Sequence, residues 1–374
     1  MKKIVAVVIC GLTALSAVAA SASPNGGDVL RRASHLSGLR VRHVVPEQHV
    51  TGARYDALLL RAVNREYPSS LRAVDTALYT RLGLIPHTVQ SQLVPGTSAS
   101  RAWYDAAARK LLLRRAPMPQ RARVVHELVR ALVDQNFNLR RLVGLRARDR
   151  DRSLAAKGIV DGTAALASGV RADPLRGTPL ARFLQLENSA GVGPGKALAW
   201  QLRYLGGARA LASALRTFPQ TTEQLLHIDK FLERERALPV RLPSQIGDMR
   251  LSASETFGEL DVRSLLRAFV VPNANAIASG WGGGRLALYV SPQGETVAAL
   301  ALRWDSTEDA DEWRDAVPRY LEAAFPGSTA HDCPPVDHCW SGSGDVASGV
   351  LGTASIFAMG PGSDAVAAAL FGSS

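Results

Sequence analysis

The stretch Arg123-Val124-Val125-His126-Glu127-Leu128-Val129-Arg130-Ala131-Leu132 reads as a buried amphipathic helix, with apolar residues recurring at three- and four-residue spacing. Within it stands His126-Glu127-x-x-Arg130, one residue away from H-E-x-x-H. In that motif two imidazoles at i and i+4 share a helix face and bind Zn²⁺, while the Glu polarises the metal-bound water. Here the second position carries a guanidinium, which has no lone pair to offer and keeps its proton in proteins. The chain therefore raises the question of a metal-site scaffold that works without a metal.

Upstream of the motif, Asp28 caps a short helix to residue 36, and 41–45 is strand-like in composition. Residues 55–66 and 70–81 have helical spacing, and Gly83 and Pro86 stop the second of these helices. Two short strands, 102–105 and 110–114, precede the motif helix, which is expected to run to about Phe137. A charged stretch, 140–152, leads to a helix over 155–168 that carries Asp161. Further helices are expected at 180–189, 194–218 and after Thr221. From about residue 244 the character changes: one helix at 260–269, strands at 285–290 and 296–304, a helix over 309–325, and a returning strand at 355–359. The fold class is α+β: a mostly helical part with a small edge sheet over 23–243, then a small antiparallel α+β domain over 244–374.

Residues 1–22 read as a secretory signal peptide. Lys2 and Lys3 form the basic start, an apolar run follows, and Ala20-Ser21-Ala22 is a small-residue cleavage site. A retained anchor is the competing reading, but the run is short for a bilayer. Its removal takes Cys10 with it and leaves Cys333 and Cys339, an even count suited to a disulfide in an oxidising compartment. His331 and His338 flank the pair and keep a small metal site open as the alternative. The formal charge is +11, of which Lys2 and Lys3 contribute two. The cations are mostly Arg, no basic run alternates with aromatics, and no nucleic-acid module is present, so nucleic acid is not expected as a partner. Attraction to anionic envelope polymers or lipid head groups is compatible with the charge. No segment after the leader is apolar and long enough to span a membrane.

Taken in order, several motifs resemble a group of secreted bacterial zincin-like proteins related to gluzincins. They are Trp103-Tyr104-Asp105, His126-Glu127-x-x-Arg130-x-x-x-Asp134-Gln135-x-Phe137, Gly158-x-x-Asp161-Gly162, Thr222-Glu223-Gln224-x-x-His227-x-x-Lys230-Phe231, Gly280-Trp281-Gly282-Gly283 and Trp304-Asp305-x-x-x-Asp309-Ala310. Together they span nearly all of the chain after the leader. The resemblance implies a zincin-like fold for 23–243. It assigns His126 to the first metal ligand, Glu127 to the general base, Arg130 to the second ligand position and Asp161 to the third, where the family has Glu. Two of three ligand positions thus depart from the pattern. A dication about 4 Å from a fixed guanidinium would meet repulsion of roughly 8 kcal/mol at an effective dielectric near 20.

Two roles stand open for Arg130: an ordinary i,i+4 ion pair with Asp134, or replacement of the metal's charge through Glu127, Asp161 or Asp134. His126 is either a hydrogen-bonded helix histidine or a remnant ligand, and His227 either packs near a helix end or approaches the old cleft as a helper. Gly191-Val192-Gly193-Pro194-Gly195-Lys196 lacks the first Gly and the final Ser/Thr of a phosphate loop. The expected function is a secreted, catalytically inactive metallopeptidase-like protein that binds peptide or cell-envelope material, with no cofactor. The alternative is an active peptidase with an atypical metal set, Zn²⁺ on His126 and Asp161, and Glu127 as base. An envelope structural protein without a cleft ligand is the third reading. Substrate and oligomeric state are not written in the sequence.

Overall fold

A computed structural model describes residues 4–9, 26–86, 90–95 and 101–372. The expected leader lies outside these except for β1 (Ile4–Ile9), which pairs in parallel with β3 (Gln90–Pro95). Cys10 and Ala20-Ser21-Ala22 lie outside the described residues.

The architecture is mixed α+β. Between those strands lie α1 (Gly26–Ser37), β2 (Glu47–Val50), α2 (Gly52–Glu66) and α3 (Ser69–Arg81). The strand expected at 41–45 does not form. Instead Gln135 holds that backbone, accepting from the Arg42 amide at 2.9 Å and donating to the His43 carbonyl at 2.8 Å, and pairing starts at Glu47. β4 (Ala102–Asp105) and β5 (Lys110–Arg114) complete a three-stranded sheet in the order β2-β5-β4, with β4 at its edge.

The motif helix, α4 (Arg121–Phe137), ends where Asn138 adopts the left-handed conformation. It lies beside α5 (Arg150–Ser168) in a core that includes Val125, Leu128, Val129, Leu132, Ile159 and Val160. α6 (Pro179–Asn188) leads into a π-helical turn, Gly191–Gly195, and then α7 (Lys196–Thr217), which is broken at Gly206 and Gly207. The glycines read as a failed phosphate loop have a packing role. A Cβ at Gly191 would fall 2.3 Å from the Asp161 Cβ, and one at Gly162 2.1 Å from the Gly195 carbonyl carbon. Backbone-to-backbone approach of this turn to α5 is what fixes the position of Asp161.

α8 (Thr222–Leu226) and α9 (Ile228–Glu233) lead into an antiparallel eight-stranded sheet. Its members are β6 (Gln245–Ile246), β7 (Met249–Thr256), β8 (Trp281–Val290), β9 (Thr296–Trp304), β10 (Thr329–His331), β11 (His338–Ser341), β12 (Val346–Leu351) and β13 (Ala354–Met359), in the order β10-β11-β12-β13-β9-β8-β7-β6. Four helices accompany it, more than the sequence suggests: α10 (Glu259–Ala268), α11 (Ala274–Ser279), α12 (Thr307–Ala324) and α13 (Ser363–Phe371). Residue alternation sends Leu286, Leu288, Leu300 and Leu302 to one face, against α10 to α12, while Ala287, Tyr289, Ala299 and Ala301 face α13. Trp281 and Trp304 are opposite one another in register and fully buried. The first face also takes in Leu78, Tyr79 and Phe183 from α3 and α6, so helical part and sheet share one core. Cys333 and Cys339 are disulfide-bonded, with their Cα atoms 5.8 Å apart. No helix among the described residues is long and apolar enough to cross a membrane.

Candidate functional site

α4 buries His126 and Glu127 on the side facing β4 and α5, because Val125, Leu128, Val129 and Leu132 anchor the adjoining face in the core. The Glu127 carboxylate is almost fully engaged. Its Oε2 accepts from the Arg130 guanidinium at 3.0 Å and from the Tyr104 amide of the edge strand at 3.0 Å. Its Oε1 lies 3.3 Å from His126 Nδ1. His126 Nε2 is buried without a hydrogen-bonding partner among the described residues.

Arg130 reaches across to α5, its Nε 2.9 Å from Asp161 Oδ1. The guanidinium therefore sits between the two carboxylates that the resemblance places around a metal. It does not pair with Asp134, whose carboxylate accepts from the Tyr104 hydroxyl at 2.7 Å and the Leu139 amide at 2.6 Å. Burial pushes the Glu127 carboxyl up, but Arg130, followed by His126, more than offsets this and holds it at about 2. A carboxylate so weakly basic is a poor acceptor for the proton of an attacking water near neutral pH. A zinc ion does not fit these residues. The second ligand position offers only donors, and the guanidinium lies against both acidic groups.

These residues border a cleft of about 360 Å³. Leu59, Tyr67, Trp103 and Val160 supply its apolar wall, while Glu66 and Lys157, 3.6 Å apart, face each other within it. Position-by-position reading of the motifs brings His126, Glu127, Arg130 and Asp161 together. It does not bring in His227, which lies outside this lining and shares a 2.9 Å contact with buried Glu259. The Glu259 hydrogen bond raises the His227 pKa against the opposing effect of burial. The remaining motif residues form a structural cluster. Lys230 Nζ contacts Glu223, Glu235 at 3.0 Å and Asp305 at 2.6 Å, so the one trio of carboxylates found spaced for a metal among the described residues already holds an ammonium.

A larger charged centre escapes sequence reasoning. Arg150, at the start of α5, is fully buried and paired with Glu187 of α6 and Asp261 of α10, with Glu255 of β7 at 3.8 Å. Beside it Arg146 pairs with Asp75, and Asp151 accepts from the amide and hydroxyl of Thr222. A Cβ at residue 258 would fall 1.8 Å from Asp151 Oδ1, so only glycine fits there. A partial signal exists: Asp151 stands at i−4 and i−7 from Ala155 and Gly158, on the packed face of α5.

Five carboxyls here meet two guanidiniums, so some retain protons. Burial, then Asp261, pushes Asp151 up to about 8, and burial likewise raises Glu187 and Glu255. Raised folded pKa values mean that the native state binds more protons than the unfolded chain between about pH 4 and 8. Their stabilisation is complete below that window and disappears as pH rises through it. The slope reaches up to about 1.4 kcal/mol per pH unit for each such proton. Denaturant titrations at pH 5, 7 and 9 are therefore expected to show falling midpoints at constant m. A midpoint that rises toward pH 9 would contradict this account of the cluster.

Residues 247–366 match a domain of unknown function, DUF8575. No curated protein and no solved structure matches the chain.

Proposed function

We propose that this is an exported, metal-independent binding protein built on a metallopeptidase-like scaffold, with the cleft beside His126, Glu127 and Arg130 holding a ligand without cleaving it. One observation carries the reading: the Arg130 guanidinium bridges Glu127 and Asp161, the acidic pair that the resemblance assigns to a catalytic metal centre. The low pKa of Glu127 adds to it. The edge strand β4 borders the same cleft through Trp103 and Asp105, and the apolar wall with its Glu66–Lys157 pair suits a peptide or peptide-bearing envelope fragment. Such a ligand presents both apolar side chains and charges of either sign.

The test is incubation of the protein with a mixed peptide library in buffer containing trace zinc. Peptides are expected to be retained intact, and Glu127→Gln is expected to leave the background hydrolysis unchanged. Cleavage that disappears in Glu127→Gln would establish the active-peptidase reading instead.

A further inference from the structure

Helix α7 carries an apolar surface that no described residue covers. Trp200, Tyr204 and Leu205 are 56%, 77% and 63% exposed, and the two aromatic rings stack at 5.6 Å. The helix breaks immediately afterwards, where Gly206 and Gly207 leave helical geometry and Gly207 takes φ of +61°. The break ends the first helical segment with its aromatic side chains still in solvent. Buried aromatics hold cores together, but three large apolar groups exposed within six residues need another apolar phase.

The segment that carries them holds charge of one sign. No Asp or Glu occurs from residue 188 to 222, or from 29 to 46. The two acid-free segments adjoin: Arg203 donates to the Leu36 carbonyl at 3.0 Å, and Ala208 lies beside Gly38. From there 38–43 runs along the end of α4, where the Arg42 Nε donates to Asn136 at 3.1 Å. It ends at a pocket of about 460 Å³ lined by His43, Arg109, Arg141 and Arg216. Asp134 is the only carboxylate in that lining; it is buried, bonded to Tyr104 and Leu139, and 3.7 Å from Arg109 Nε. Arg141 donates to the Leu215 and Arg216 carbonyls at 2.7 Å, which leaves Arg216 as the guanidinium with the freest donors. The second half of α7, about 14 Å long from Gly207 to Arg216 at 1.5 Å per residue, connects pocket and aromatic tip.

We propose that this face docks on an anionic phospholipid surface, with Trp200, Tyr204 and Leu205 entering the head-group layer and Arg216, with Arg109 beside it, facing lipid phosphates. Trp and Tyr favour the boundary between water and acyl chains because each has an apolar body and a polar edge. A helix with such a tip and a basic surround binds in the interface plane without crossing it. Guanidinium forks match phosphate oxygens, and the two acid-free segments themselves contribute no carboxylate to repel an anionic membrane. A protein partner would need acidic residues facing the arginines and a socket for three apolar side chains. A lipid surface meets both needs with one chemistry.

Co-sedimentation of the full chain with vesicles tests this. Binding is expected to vesicles of phosphatidylcholine containing one-third phosphatidylglycerol, not to phosphatidylcholine alone, and to weaken with salt. The combined Trp200→Ala, Tyr204→Ser and Leu205→Ser variant is expected to lose about tenfold or more in vesicle affinity while keeping its melting temperature. Arg109→Gln with Arg216→Gln is expected to lose less and to flatten the salt dependence. Failure to bind either vesicle would overturn the proposal, as would binding indifferent to the apolar substitutions. Competition by inorganic phosphate without vesicle binding would reduce the pocket to a free-anion site and overturn it too. A dimer that the triple substitution breaks would assign the ridge to a second copy instead.

Discussion

Arg130→Met is expected to lower stability by about 3 kcal/mol, because it leaves Glu127 buried without its main countercharge. Glu127 is 1% exposed, and its Oε2 would keep only the Tyr104 amide. Met fills much of the same volume, so the loss would come from charge and not from a cavity. A second substitution sharpens the test. Glu127→Gln on the Arg130→Met background removes the stranded charge and is expected to recover a good part of the loss, giving a large coupling energy. An ordinary surface ion pair contributes about 0–1 kcal/mol and would show almost no coupling. Unchanged denaturant midpoints in Arg130→Met would sink the charge-replacement role outright.

Arg150→Met is expected to cost more, about 3–5 kcal/mol at neutral pH, and to loosen the junction between the helical part and the sheet. Its guanidinium is fully buried and joins α5 to α6, to α10 and, more distantly, to β7. Without it, Glu187 and Asp261 lose their shared countercharge in a low-dielectric interior, and protonation of Glu187, already raised by burial, is what relieves it. The loss should therefore shrink at pH 5, where protonation is easier, and grow at pH 8. Four of the six tryptophans, Trp281, Trp304, Trp313 and Trp340, lie in the sheet part, so fluorescence is weighted toward it, while far-UV circular dichroism is weighted toward the helices. The two probes are expected to give separated transitions in the variant. Coincident transitions with an unchanged midpoint would show that Arg150 is not the staple.

Local period made α4 legible, since its apolar spacing is written within its own seventeen residues. His126, Glu127 and Arg130 followed from that helix. Asp161 came only through the resemblance, and its approach depends on Gly162 and Gly195 allowing two backbones to touch. The Arg150 centre was not legible, because its partners lie on three other elements and ion pairs across such separations leave no periodic trace. Residues 140–152 read only as a charged stretch leading into α5, and the structure buries Arg150 and Asp151. The sheet was legible in its Leu- and Trp-bearing strands, β8 and β9. It was not in β12, whose Ala347, Ser348 and Gly349 carry little strand preference and are held by pairing with β13. The β-branched run 41–45 misled for the opposite reason: its composition favours a strand, but the Gln135 side chain takes its hydrogen bonds.

The most direct measurement is the metal content of the purified protein, prepared without a His-tag and dialysed against trace zinc. With Arg130 bridging Glu127 and Asp161, zinc is expected far below one equivalent, and Glu127→Gln should not change it. Near-stoichiometric zinc that disappears in His126→Ala but persists in Cys333→Ser would contradict the account and return the site to metal chemistry.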